Sequence, residues 1–337
     1  LTHDRESQTG AAGLCRPPFS KRSFSLPNGG NHMKEKTAAA RHRLTKEEKM
    51  FHLMLLPGLI ILLIFVFVPL VGSLMAFQDY VPARGLFGSK WVGLENYEFI
   101  FSLPDGRQVF MNTLIIAFAK LVVNIFVPVT FAILLNEIRL KFFKRTFQTI
   151  VYLPHFLSWV VLATVVTNMF SLGGPFNAVI TMFGGEPIQF LADNRWFRTV
   201  IVGTDVWKEF GYNSVVYLAA LTSIDPGLYE AASIDGAGRF KQTMHITVPA
   251  LLPTVVLMTA LNLGNILNAG FDQIFNLYNP IVYETADIID TYVYRIGMVE
   301  RQYSIGTAVG LMKSVISFLL IIGANKAAQK LTGSGIF

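Results

Sequence analysis

The chain has 337 residues, of which 52% are hydrophobic and 15% charged, with 28 Phe and a net charge of +6. A soluble domain carries about 25% charged residues, so this length and apolarity point to a polytopic membrane protein rather than a soluble fold. The Lys and Arg residues cluster beside apolar runs, so their excess speaks of membrane topology and not of nucleic acid. Cys15 is alone, which excludes an intrachain disulfide and a thiolate metal site, and no apolar signal core precedes it as a lipoprotein signal would require.

Residues 1–32 are polar, rich in Pro, Gly and Ser, and without periodicity, which reads as a disordered tail or a non-native extension. The segment Gly29-Gly30-Asn31-His32-Met33 back-translates as GGA GGT AAT CAT ATG, a ribosome-binding site followed by a start codon. Met33 is therefore the expected start, and residues 33–50 an N-terminal cytoplasmic segment.

Six apolar runs follow. They cover about 51–77, with no charge inside; 110–136, with Lys120; 147–170; 199–224, the most polar, with Asp205, Lys208 and Glu209; 246–270; and 305–325, with Lys313. Each exceeds the roughly 20 residues that cross a bilayer as a helix. Backbone groups in lipid must be satisfied internally, and period-2 alternation is absent, so the expected fold is all-α with six transmembrane helices over residues 51–330 and a tail at 331–337. Basic residues gather before the first run (Lys34, Lys36, Arg41, Arg43, Lys46, Lys49), between runs two and three (Arg139, Lys141, Lys144, Arg145), between four and five (Arg239, Lys241) and after six (Lys326, Lys330). The positive-inside rule then places both termini in the cytoplasm of a multi-pass protein of the cell membrane. The alternate loops, 78–109, 171–198 and 271–304, are too short for a large separate domain, and an apolar stretch at 176–183 reads as a short helix at the outer interface. Lys120 and Lys313 are expected to snorkel or pair, and the six His show no metal-ligand spacing.

Between runs four and five the chain reads Tyr229-Glu230-Ala231-Ala232-Ser233-Ile234-Asp235-Gly236-Ala237-Gly238, then Ile246-Thr247-Val248-Pro249. Asp225-Pro226 starts a helix, since Pro suits a first turn. Gly236 and Gly238 break it, and a second short helix is expected to run to Pro249. The small alanines permit close approach, and Glu230 and Asp235 offer carboxylates to a basic surface.

This segment resembles the EAA loop of ABC importer permeases, with Val248 where that family commonly has Leu. The resemblance runs from about residue 48 to the C-terminus and is closest to sugar permeases of the maltose-permease class, within them to the lipoprotein-dependent oligosaccharide permeases. Phe271-Asp272-Gln273-Ile274-Phe275-Asn276-Leu277 and Gly93-Leu94-Glu95-Asn96-Tyr97 are further family-like elements. The resemblance implies the type I importer architecture, with a coupling helix in the loop 225–249. Glu230, Ala231, Ala232, Asp235, Gly236, Ala237 and Pro249 would be the residues that engage an ATPase. It also implies a second permease, two ATP-binding subunits using ATP and Mg, an extracellular solute-binding lipoprotein and a sugar cargo. No cofactor is expected on this chain. No G-x-x-x-x-G-K-[ST] occurs, since Gly85-Leu86-Phe87-Gly88-Ser89-Lys90 lacks the spacing, and no nucleophile–base or metal constellation suggests an enzyme.

Polar groups inside a membrane are functional candidates by default. Asn262, Asn265 and Asn268 recur every third residue in the fifth run, so they are expected on one broad side of a helix. Amides donate and accept, which suits sugar hydroxyls, although hydrogen bonding between helices would use them equally. Asp205 stands three residues before Lys208, a spacing that permits an ion pair within the helix. Trp207 and Tyr212 offer ring faces to a sugar, and packing is their plainer use. A peptide, amino acid or phosphate cargo remains the first alternative. An ion-coupled secondary transporter is the second, disfavoured by the lack of evident inverted repeats.

Overall fold

The structure, a computed structural model, describes residues 46–138, 140–264 and 266–332. The extension 1–32, most of the segment 33–50, the candidate Asn265 and most of the tail 331–337 lie outside the described residues. The chain divides between Gly58 and Leu59 into two units. In the first, the helix α1 (Lys46–Leu62) begins, and its apolar residues Met50, Phe51 and Leu53 are all exposed.

The second unit carries the remaining helices. α2 (Glu95–Ser102) precedes the long α3 (Pro104–Glu137). Next come α4 (Lys141–Tyr152), α5 (Trp159–Phe170), α6 (Pro175–Met182) and α7 (Phe197–Thr222). α8 (Pro226–Ile234), α9 (Val248–Leu263), α10 (Phe271–Leu277), α11 (Ile289–Tyr294) and α12 (Tyr303–Thr332) complete the order. A single two-stranded antiparallel pairing, β1 (Gln78–Asp79) with β2 (Lys90–Trp91), is the only sheet among the described residues. The helix at α6 is the one expected at 176–183.

Five stretches are long and apolar enough to cross a membrane: Lys49–Phe77, Asp105–Glu137, Trp159–Met182, Arg239–Leu263 and Tyr303–Gly323. α7 is the sixth crossing. Its 26 residues span about 39 Å at 1.5 Å per residue, more than the roughly 30 Å hydrocarbon core. Its charges, which keep it off a hydropathy scale, are paired within the bundle, as described below.

Two expected spans are interrupted. The run 147–170 breaks because Pro154 supplies no N–H: the chain tightens over Leu153–Phe156, turns extended at Leu157, and restarts with the Ser158 hydroxyl accepting from the Val161 N–H. The run 246–270 leaves helix at Leu263, and Gly270, at φ 96°, turns the chain into α10. Proline also explains two widened turns. The π-helical turns Leu63–Phe67 and Thr243–Thr247 each stand just before a Val-Pro pair, Val68-Pro69 and Val248-Pro249. A Pro ring crowds the carbonyl four residues back, and a wider turn relieves the clash.

α3 and α7 pack along each other, and α4 crosses α7 where Gly211 lets the backbones meet: a Cβ there would lie 2.3 Å from the Val151 carbonyl oxygen. Buried apolar clusters hold the bundle at three places, around Ile116, Phe197 and Ile274, around Ile100, Tyr292 and Val309, and around Leu135, Tyr217 and Leu251. In contrast Ile61, Leu63, Phe65, Phe118 and Phe318 are exposed, the pattern of a protein whose solvent is lipid.

Candidate functional site

Two features carry the chemistry: the loop 225–249 and a polar cavity in the bundle. The loop is built locally. Asp225 accepts from the Gly227 N–H at 2.9 Å, and Pro226 opens α8. The helix closes when the Ala237 N–H reaches back to the Ala232 carbonyl at 2.9 Å, with Gly236 at φ 76° taking the left-handed turn. Four contacts that sequence reasoning missed brace it. Gln242 donates to Ser233 Oγ and to the Ala237 carbonyl, both at 2.9 Å; Tyr229 Oη and Thr247 Oγ1 stand 2.9 Å apart; and Arg239 pairs with Glu137 of α3 at 3.4 Å. Their signal in the sequence is only their polarity beside the motif.

Glu230, Ala231, Asp235 and Gly236 are exposed, while Ala232 and Ala237 are half-buried. The apolar side chains Leu228, Ile234 and Phe240 are also exposed, Ile234 at 87%. The result is a carboxylate-bearing, apolar knob. The second helix does not stop at Pro249 as expected. It begins at Arg239, passes through the widened turn 243–247 and continues as α9, so Pro249 lies inside one continuous helix. Proline there supplies no N–H to the preceding turn, and the widened turn accommodates its ring. His245, with Nδ1 3.0 Å from the Lys241 carbonyl oxygen, is structural.

The cavity, about 200 Å³, is lined by Lys120, Asn124, Asp205, Asn213, Asn262 and Asn268 among others. Asp205 does not pair with Lys208. Its Oδ1 lies 2.9 Å from Lys120 Nζ of α3, and its Oδ2 accepts from Asn124 Nδ2 at 2.9 Å. The side chains leave α7 toward α3, and one turn on, Lys208 reaches Glu209 at 3.1 Å and donates to the His155 carbonyl at 2.6 Å. Asn262 lies in the last turn of α9 and Asn268 in the non-helical turn that follows, so they do not share a helical face, yet both reach the cavity wall. Lys120, Asn124 and Asn213 were not singled out for function. They lie on α3 and α7, and nothing local in the sequence says that these helices face α9.

Trp207 lies elsewhere, in an apolar pocket of about 470 Å³ with Phe170, Phe176, Phe190 and Trp196. Tyr212 is half-exposed, and its ring stacks on His155 at 3.9 Å with a 2° interplanar angle. His155 Nδ1 is 2.7 Å from Glu209 Oε2. The break at Pro154 is what turns this imidazole onto α7. Lys313 pairs with Asp290 through both carboxylate oxygens, at 2.6 and 2.7 Å. No group of His, Cys, Asp and Glu suited to a metal occurs among the described residues.

In the segment after α10, Asp287 is buried with Arg295 Nη2 at 2.6 Å and Thr291 Oγ1 at 2.7 Å. Burial pushes its carboxyl above the usual carboxylate range, and the bonds from Thr291 and Arg295 pull it partly back.

Comparison with known proteins agrees with this geometry. The chain is 41% identical over 292 residues to the polygalacturonan/rhamnogalacturonan transport system permease protein YteP of Bacillus subtilis, covering 86% of this chain and 91% of that one. It is 42% identical over 293 residues to protein LplB of the same organism, covering 87% and 92%. The fold matches a chain of a crystallised bacterial ABC transporter involved in the import of the acidic polysaccharide alginate, with TM-score 0.79 and 36% identity over 85% of this chain and 97% of that one. Residues 124–332 match the family of binding-protein-dependent transport system inner membrane components, and the chain belongs to that family.

Proposed function

We propose that this chain is one half of a heterodimeric pore that passes an oligosaccharide across the cell membrane, driven by ATP-binding subunits docked on the loop 225–249. Both termini and that loop face the cytoplasm, as the basic residues flanking runs two, four and six imply. The observation that carries the reading is the exposed knob of Glu230, Asp235, Leu228 and Ile234, held rigidly by Gln242 and Tyr229. An exposed apolar and acidic surface on a membrane protein's connecting loop is a partner site.

Carbohydrate as cargo rests on two supports. Relatives named for polygalacturonan, rhamnogalacturonan and alginate transport resemble the chain over more than four-fifths of its length. The cavity also offers Asn262, Asn268, Asn213 and Asp205, donors and acceptors of the kind that hydroxyl groups match. A solute-binding protein would deliver the sugar from outside. A chain of the alginate transporter in complex with its pentasaccharide-bound periplasmic protein has the same fold, at 36% identity. Nucleotide-driven approach of the ATP-binding subunits would move α8, and with it α9 and α3 through the braces at Thr247 and Glu137, opening the cavity to alternate sides.

Glu230→Lys tests the docking. The variant chain is expected to accumulate in the membrane, because Glu230 is exposed, and to lose co-purification with the ATP-binding subunit and substrate uptake. Co-purification at the wild-type yield contradicts the assignment.

A further inference from the structure

We infer that Lys120 is a positioning residue for transport: it ties the non-helical turn 266–270 to the carboxylate of Asp205 and so sets the shape of the polar cavity. The inference rests on the reading of that cavity as the substrate pathway. Lys120 stands midway along α3, inside a crossing helix, and is 7% exposed. An ammonium has three N–H groups. Here Nζ has three oxygen neighbours: the Ala269 carbonyl at 2.8 Å, Gln273 Oε1 at 2.5 Å and Asp205 Oδ1 at 2.9 Å. With every donor engaged, Lys120 acts through the groups that it holds and not by touching cargo.

Each tie has a distinct consequence. Ala269 belongs to the break after α9, and a carbonyl released from a helix at membrane depth needs a donor. Gly270 makes room for that donor: a Cβ there would lie 2.6 Å from Lys120 Nζ. Gln273 carries the tie onward, because its Nε2 donates to the Ile201 carbonyl at 2.8 Å and to Thr204 Oγ1 at 2.9 Å on α7. Asp205 is then gripped from both sides, by Lys120 on Oδ1 and by Asn124 on Oδ2, at the wall that it shares with Asn262 and Asn268. Asn124 Oδ1 is buried with no partner among the described residues, so the same wall retains an unspent acceptor. One ammonium thus fixes α3, α7 and the turn against each other.

A buried ion pair can also exist merely to cancel charge. That plainer role makes a different prediction, because it needs neither the carbonyl tie nor Gly270. The whole importer, assembled with its partner subunits, is reconstituted with Asp205→Asn, Lys120→Met/Asp205→Asn and Lys120→Arg variants. Uptake of a labelled pool of oligosaccharides from digested pectin, alginate and starch is then measured against concentration. In Asp205→Asn the lysine still holds the turn, whereas in the double variant it does not. The double variant is expected to show an apparent KM about ten-fold above that of Asp205→Asn, the loss typical of one misplaced hydrogen-bonding group. Equal KM values in the two overturn the inference. If the double variant does not accumulate, Lys120→Arg decides, since it keeps the charge but replaces the compact three-way donor by a longer planar fork. A raised KM is expected there, and a wild-type KM overturns the inference. Failure of the wild-type complex to take up any of the pool overturns the pathway reading itself, a separate outcome from normal uptake with unchanged variants.

Discussion

Asp287 and Arg295 illustrate how a single pair can govern stability outside the crossing helices. The Asp287 side chain is 3% exposed and that of Arg295 22%, with 2.6 Å between them. Burial favours the protonated acid, so the folded-state value of Asp287 lies above its ordinary one. The stability tied to that group is therefore present at acid pH and lost as pH rises through the folded value. Removing the guanidinium enlarges the effect, because the bare carboxylate must then be buried alone. Arg295→Gln is expected to destabilise by about 3 kcal/mol near pH 8, toward the low end for a broken buried pair because the arginine is partly exposed, and by much less near pH 5. Thermal unfolding of the purified protein at the two pH values checks it, and an equal loss at both contradicts the account. This pair, like Lys120 with Asp205, was not legible in the sequence. Asp205 has a lysine three residues away in its own helix, and only the packing of α3 on α7 shows that the charge is met by a residue 85 positions earlier.

At the scale of the element, the breaks matter more than the helices. The expected span 147–170 is broken at Pro154 between α4 and α5, the apolar stretch long enough to cross being Trp159–Met182, and α9 gives way to a turn at Gly264. Both interruptions place polar groups where a continuous helix would have kept them apart: His155 against Glu209 and Tyr212, and Asn268 beside Asn262. The close crossing of α4 on α7 depends on Gly211. Its missing side chain is opposed by backbone, the Val151 carbonyl at 2.3 Å, so no rotamer change can make room. Gly211→Val should force the helices apart and cost about 1–3 kcal/mol or more as overpacking, read as reduced membrane yield and melting temperature. Wild-type values would show that the crossing is loose. Composition and run length were enough to reveal the crossings and the loop motif, because apolarity and Pro/Gly punctuation are local signals. The breaks were missed because an apolar run looks the same whether its backbone is continuous or not, and a proline inside it leaves the hydropathy unchanged.

For the whole molecule, the loop 225–249 and the polar cavity are joined by covalent and ionic connections. α9 runs directly from the loop toward the cavity, and α3 runs from Glu137, which pairs with Arg239 of the loop, to Lys120 and Asn124 at the cavity wall. Motion imposed on α8 would therefore have two routes to the cavity wall. The account depends on the loop lying on the cytoplasmic side, within reach of an ATP-binding subunit. The direct measurement uses Ile234→Cys, the most exposed apolar position of the loop at 87%, after Cys15, the chain's other cysteine, is replaced by Ser. A membrane-impermeant thiol reagent should leave this cysteine unlabelled in intact cells, label it in inside-out vesicles, and label it less once the ATP-binding subunit is bound. Labelling from outside intact cells, or labelling unaffected by that subunit, would contradict the account.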